Sequence, residues 1–163
     1  METKTISVCF ICLGNICRSP LAQGVFEDLI AKEGLENRIL VSSAGVGDWH
    51  VGSPPDARMQ NTARNRGITL NSRAQQIQTG DLKRLDLALA MDESNMLALK
   101  QIFPSSADPK KLRMFRSFDP QHNGDLNVPD PYYGGDAGFE NVFDIVNRTC
   151  PQIIAFLKQE YAL

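Results

Sequence analysis

Apolar residues recur along the chain in two rhythms, and the rhythms alternate. Residues 6–11 form a short apolar run, with Val8, Phe10 and Ile11, that reads as a buried strand. Leu21, Val25, Phe26, Leu29 and Ile30 then fall at helical spacing. A helix is expected from Ser19-Pro20 to about Lys32, with Ser19 as cap, Pro20 at the first position and Gly34 closing it. A second strand is expected over 39–42, and a helix from about Pro55 to Arg66 that stops at Gly67. Leu85 to Met91 is a nearly unbroken apolar run, as in a strand covered on both faces. Asp92-Glu93-Ser94 opens another helix that ends before Pro104, and a weaker strand signal covers 112–115. A last helical stretch runs from about Ala137 toward the C-terminus, with Pro151 expected to kink or restart it. Segments 45–55 and 119–135 are rich in turn-forming residues and read as loops.

Strand and helix alternate from end to end. That order predicts an α/β fold: a doubly wound, four-stranded parallel sheet with helices on both faces, one domain over 1–163. Ligands of such folds sit beyond the carboxyl ends of the strands. The loop after the first strand, Cys12 to Ser19, is therefore where a site is expected.

Composition adds exclusions. The chain is 42% hydrophobic and 22% charged, with formal net charge −2, so neither nucleic acid nor an anionic membrane is an expected partner. No stretch approaches the roughly 20 apolar residues that span a bilayer. The start Met-Glu-Thr has neither a signal-peptide core nor a myristoylation glycine, and a cytoplasmic location is expected. The four cysteines are Cys9, Cys12, Cys17 and Cys150. In a reducing compartment they mean packing, metal or catalysis. Cys9 and Cys12 have the spacing of a metal or redox pair, but there is no second pair, and His50 and His122 stand alone. No metal or cofactor is expected.

The segment Cys12-Leu13-Gly14-Asn15-Ile16-Cys17-Arg18-Ser19-Pro20 carries the chemistry. A tight strand-to-helix loop can turn its backbone N–H groups inward, and the following helix adds its positive end. Gly14 is read as supplying a backbone conformation that other residues resist. Arg18 adds a planar fork suited to phosphate oxygens. A cysteine heading such a loop would be held as thiolate and aimed at phosphorus. On residues alone, the setting of Cys12 at a strand end before Gly-Asn and Ser-Pro favours the phosphate loop over strand core like Cys9, whereas Asp130 before Pro131 reads first as a turn residue, and a helix cap is the alternative for Asp92.

The segment resembles, without a gap, the signature of the low-molecular-weight protein tyrosine phosphatases. Asp130-Pro131-Tyr132-Tyr133-Gly134 resembles that family's general-acid loop, and Ser42-Ser43-Ala44-Gly45, Asp48-Trp49-His50 and Met91-Asp92-Glu93-Ser94-Asn95 resemble further family blocks. The resemblance implies a flavodoxin-like fold and hydrolysis of phosphotyrosine and small aryl phosphates through a phosphocysteine. It also implies tyrosine-phosphorylated protein substrates, inhibition by phosphate or other oxyanions, and a monomer or weak homodimer. By that similarity Cys12 attacks phosphorus, Arg18 holds the phosphoryl oxygens, and Asp130 protonates the leaving phenol and then activates water. Leu13, Gly14, Asn15, Ile16, Cys17 and Ser19 would cradle the phosphate, with Asn15, Ser19 and Ser43 forming the network that holds the loop. Trp49, Tyr132 and Tyr133 would wall the entrance, and Asp92 would sit near the acid.

The chain departs from the family pattern at Ser72, where a histidine is frequent, and at Gln75, where an arginine is. That histidine usually positions the loop asparagine, so the support of Asn15 is the point in question. Among rival readings, arsenate reduction needs further cysteines in mid-chain, and none lies between Cys17 and Cys150. Phosphoarginine phosphatases resemble this chain but tend to carry threonine where it has Ile16. A silent phosphoprotein-binding module would typically lack the cysteine or the acid, and both are present.

Overall fold

The computed structural model describes residues 4–103 and 108–163. The Met-Glu-Thr start and Pro104, the expected stop of the third helix, lie outside the described residues. Four strands, β1 (Ile6–Cys12), β2 (Ile39–Gly45), β3 (Leu87–Ala90) and β4 (Leu112–Met114), pair in parallel in the order β2-β1-β3-β4. Between and after them run α1 (Arg18–Lys32), α2 (Ala57–Asn65), α3 (Glu93–Ile102) and α4 (Asp136–Tyr161).

The side-chain alternation of β1 divides the interior. Val8, Phe10 and Cys12 face one core, which α1 and α4 cover with Leu21, Phe26, Val146 and Ile153. Cys9 and Ile11 face the other, closed by Leu99 and Phe103 at α3. Phe10 meets Phe26 and Phe115 edge-on, with ring centroids 5.4 and 5.9 Å apart. A strand covered on both faces needs apolar residues at every position, which is why β1 and β3 read as unbroken runs. The register sets Cys12 beside Gly45 and Ile11 beside Ala90, so the carboxyl ends of three strands share one edge of the sheet. Among the described residues, no helix is long and apolar enough to cross a membrane.

The structure corrects three local expectations. β2 continues past Ser42 to Gly45. A Cβ on Gly45 would stand 2.7 Å from the Leu13 carbonyl oxygen, so the strand needs small residues where it passes the loop, and small residues carry no strand signal. Helix α1 starts at Arg18, with no side-chain cap, and Ser19 lies inside its first turn. The Ser19 hydroxyl is turned to Cys12 instead. Helix α4 runs unbroken through Pro151 and does not restart there. Pro151 and Asn147, whose carbonyl loses its i+4 donor, are both exposed, so that carbonyl is open to solvent while Val146, Cys150, Ile153 and Leu157 stay buried in the core.

Candidate active site

The loop after β1 is held from outside by its carbonyls. Val46 N–H donates to the Cys12 carbonyl (3.0 Å), Gly47 N–H to that of Leu13 (2.9 Å), Asp56 N–H to that of Ile16 (2.8 Å) and Leu21 N–H to that of Cys17 (3.2 Å). In a trans peptide the next residue's N–H points the opposite way. The N–H groups of Leu13, Gly14, Cys17 and Arg18 therefore turn from the scaffold toward the concave side of the loop. Among the described residues, no N–H of residues 13–17 donates to a backbone carbonyl. The uncapped N-terminus of α1 adds its positive end to the same place.

The left-handed residue of the loop is Asn15 (φ 57°), not Gly14. Gly14 is needed for space: a Cβ there would lie 2.9 Å from the His50 ring. Asparagine tolerates the left-handed conformation, and here its amide is fully employed. Gln75 backbone N–H can only donate, and it reaches Asn15 Oδ1 at 3.0 Å. Asn15 Nδ2 therefore points inward and donates to Ser19 Oγ (2.8 Å) and Ser43 Oγ (2.9 Å). Ser43 passes its own proton to Gln23 Oε1 at 2.6 Å. Ser19 Oγ, which accepts from Asn15, lies 2.9 Å from Cys12 Sγ; a thiolate there has no proton of its own, and to it Ser19 can only donate. Donation thus runs outward from Asn15 in two arms, one through Ser43 to Gln23 and one to Ser19, the neighbour of Cys12.

That network answers the question of Asn15's support. Among the described residues, Ser72 makes no hydrogen bond to Asn15, and it lines a separate groove with Gln23 and Asn71. Gln75 supplies the bond from its backbone, and its side chain donates to the Ser43 carbonyl at 2.9 Å. Gln23 and Gln75 were not singled out as supports by their residue types. Only the i, i+4 geometry that places Gln23 one turn beyond Ser19 was available as a signal.

Arg18 is 2% exposed, and its guanidinium is fixed on one edge. Nη1 donates to Asp92 Oδ2 at 2.6 Å and to the Val128 carbonyl at 3.0 Å, while Nη2 lies 3.5 Å from Asp130 Oδ2. Asp92 also caps α3 by accepting from Asn95 N–H, so the cap and the ion-pair roles coexist in one side chain. Burial alone would raise the Asp92 carboxyl, but bonds from Arg18, Asn95 and Ser94 outweigh it and hold the group below its usual range. Burial opposes the charge of Arg18, but Cys12, Asp92 and Asp130 outweigh it and keep the guanidinium protonated. Asp130 accepts from Tyr132 N–H at 3.0 Å, an Asx turn that aims the carboxylate.

These residues enclose a cavity of about 390 Å³. Cys12, Leu13, Gly14, Ile16, Cys17 and Arg18 line it from the loop, Trp49 and His50 from the segment after β2, and Asp130, Tyr132 and Tyr133 from the segment before α4. Cys12 and Cys17 are 3% and 4% exposed, and the aromatic rim rises above them, with Trp49 at 70% and Tyr133 at 92%. Ile16 is a buried part of the wall. Asn15, Ser19, Ser43 and Asp92 stand behind the lining and orient it. Gly47 makes room for the rim, since a Cβ there would collide with the Trp49 ring.

The fold and the site define the class: a parallel α/β domain with a cysteine-headed anion loop and an aspartate facing it. The family model for low molecular weight phosphotyrosine protein phosphatase matches residues 7–163. A low molecular weight protein-tyrosine-phosphatase of Streptomyces coelicolor is 40% identical, with 96% of each chain covered. The structure of a protein tyrosine phosphatase from Entamoeba histolytica, with Hepes in its active site, superposes with a TM-score of 0.91 at 33% identity, covering 96% of this chain and 99% of that one. A Drosophila arginine phosphatase superposes with a TM-score of 0.85 at 30% identity, covering 93% and 97%. The chain belongs to the low molecular weight phosphotyrosine protein phosphatase family.

Proposed function

We propose that this chain hydrolyses phosphotyrosine in protein substrates through a phosphocysteine on Cys12. It is a cysteine-dependent protein-tyrosine-phosphatase. The observation that carries the residue assignment is the meeting of Cys12, Arg18 and Asp130 around one cavity.

In the first step Cys12 Sγ, as thiolate, forms a bond to phosphorus while the bond from phosphorus to the phenol oxygen breaks. The Asp130 carboxyl gives its proton to that oxygen. The proton matters because a phenol of pKa about 10 leaves poorly as an anion. In the second step Asp130, now carboxylate, takes a proton from water, the water oxygen bonds to phosphorus, and the sulfur leaves. The Ser19 proton aimed at Cys12 stabilises that departing thiolate. The loop N–H groups and Arg18 bear the phosphoryl oxygens through both steps. With Nη1 held by Asp92 and Val128, the guanidinium cannot rotate, so its remaining edge is preorganised.

Trp49, Tyr132 and Tyr133 stand high enough to flank a substrate ring. All four cysteines are free, which suits a cytoplasmic setting. Cys12→Ser tests the reading: turnover of phosphotyrosine should vanish while vanadate still binds. Turnover near the wild-type rate would refute it.

A further inference from the structure

The segment that carries Asp130 is held by a group of buried charges that never touches the cavity. Asp119 is 1% exposed, and each of its oxygens accepts twice. Oδ1 takes Arg148 Nε (2.8 Å) and Gln121 N–H (2.8 Å); Oδ2 takes Arg148 Nη2 (3.0 Å) and Arg116 Nε (3.0 Å). Arg116 then extends its Nη1 to the Asn127 carbonyl at 2.8 Å. A guanidinium is planar, so fixing Nε on Asp119 fixes where Nη1 points. Arg148 belongs to α4, so the group ties the acid segment to the longest helix of the fold.

From the other side, the same stretch is bound to the sheet and the loop. Val128 N–H donates to the Met91 carbonyl (2.7 Å), Glu93 N–H to Asn127 Oδ1 (2.8 Å), and Arg18 Nη1 to the Val128 carbonyl (3.0 Å). Asn127 and Val128 are thus clamped between Arg116 and Arg18. Asp130 follows after a single residue, Pro129, and is followed by Pro131. Each proline ring locks its φ, and each restricts the residue before it. The segment has little freedom to absorb a shift of Asn127 before it reaches the carboxylate.

We propose that Asp119, acting through Arg116, is a positioning residue for the general acid. It sets where Asp130 stands relative to the leaving oxygen, from a site that contacts neither substrate nor Cys12. The inference rests on Asp130 being the acid. Asparagine at 119 would present N–H to an arginine N–H, which breaks one arm of the hub and releases Arg116 from its fixed plane.

The experiment compares kcat/KM on phenyl phosphate, a poor leaving group, with that on nitrophenyl phosphate, a good one. A displacement near 1 Å far from the chemistry can cost on the order of a hundredfold, so Asp119→Asn should lose roughly tenfold more on phenyl phosphate than on nitrophenyl phosphate. Inhibition by inorganic phosphate should stay within about twofold, since the Cys12 loop is untouched. Arg116→Lys should show the same bias, because an ammonium cannot bridge Asp119 and Asn127 in one plane. If either variant does not fold, Arg148→Gln at the half-buried end of the hub carries the test, with a smaller bias of the same sign. Asp130→Asn is run alongside. If it shows strong leaving-group bias and the folded hub variants show none, the positioning role is overturned and the acid assignment stands. If Asp130→Asn itself shows no bias, the acid assignment fails first. Loss of equal size on both substrates in a hub variant marks a purely structural role and overturns the proposal.

Discussion

Arg18 Nη2 lies 3.5 Å from Asp130 Oδ2, although the two residues come from opposite ends of the chain. The arginine is the junction of the site: it touches Asp130, Asp92 and the Val128 carbonyl with one planar group. Arg18→Ala should lose turnover and also phosphate affinity. Charge-assisted hydrogen bonds contribute about 1.5–3 kcal/mol each, so the inhibition constant for phosphate should rise on the order of a hundredfold. Arg18→Lys should not restore it, because a point charge cannot hold Asp92 and a phosphoryl oxygen together. Inhibition constants for phosphate and vanadate check this. A lysine variant near wild type would refute the fork argument.

The four thiols differ sharply in environment. Burial pushes the Cys9 thiol up to about 11, and burial also pushes Cys17 and Cys150 well above the usual thiol range, Asp56 adding to it for Cys17. Iodoacetate at neutral pH, itself an anion drawn to the loop, should therefore label Cys12 alone. Peptide mapping reads the outcome, and prior labelling of Cys9 or Cys150 would contradict it. Mild peroxide should oxidise Cys12 to the sulfenic acid, which the Cys17 thiol then condenses with to a disulfide and water. Thiol should reverse the inactivation. Sulfinic acid on Cys12 with no link to Cys17 would exclude this protection.

Asp119 also makes stability depend on pH. Burial would raise its carboxyl, but Arg148, the Gln121 N–H and Arg116 outweigh it and the group is held low. A carboxyl lowered on folding stabilises the protein above its unfolded value of about 3.9, and that contribution is lost as pH falls through the folded value. Breaking such a buried pair costs about 3–5 kcal/mol. The melting temperature of Asp119→Asn should thus fall well below wild type at pH 7, and the gap should close below about pH 4. A gap independent of pH would show that the carboxylate charge is not what matters.

Ile16 sits in the pocket wall beside Cys12, branched and apolar. It should accept the flat edge of a phenyl ring and disfavour the polar, charged leaving group of phosphoarginine. Phosphotyrosine peptides should be cleaved much faster than phosphoarginine ones, and Ile16→Thr should narrow the difference. Equal rates in the unaltered protein would remove Ile16 as the selector.

The sheet and helix order was legible because each element keeps its own apolar period. β2 was read short because Ser43, Ala44 and Gly45 are small for the sake of the neighbouring loop, and small residues have no strand signature. Ser19-Pro20 mimics a helix start two residues late, since Ser19 faces Cys12 rather than the helix end. The roles proposed for Cys12 and Arg18 rest on the residues of the loop and on the family resemblance. Those of Gln75 and Val128 were not legible, because they act through a backbone N–H and a carbonyl that every residue type possesses. Asp119 opens a segment read only as a loop, and the fold alone brings Arg148 to it.

The most direct test of the account is to catch the intermediate. Rapid acid quench during turnover of a phosphotyrosine peptide, followed by mass spectrometry of the digested protein, locates the phosphoryl group. It should lie on Cys12 and be absent in Cys12→Ser. It should accumulate further in Asp130→Asn on a nitrophenyl substrate, where formation needs no acid but hydrolysis still needs a base. A phosphoryl group on any other residue, or steady turnover by Cys12→Ser, would contradict the account.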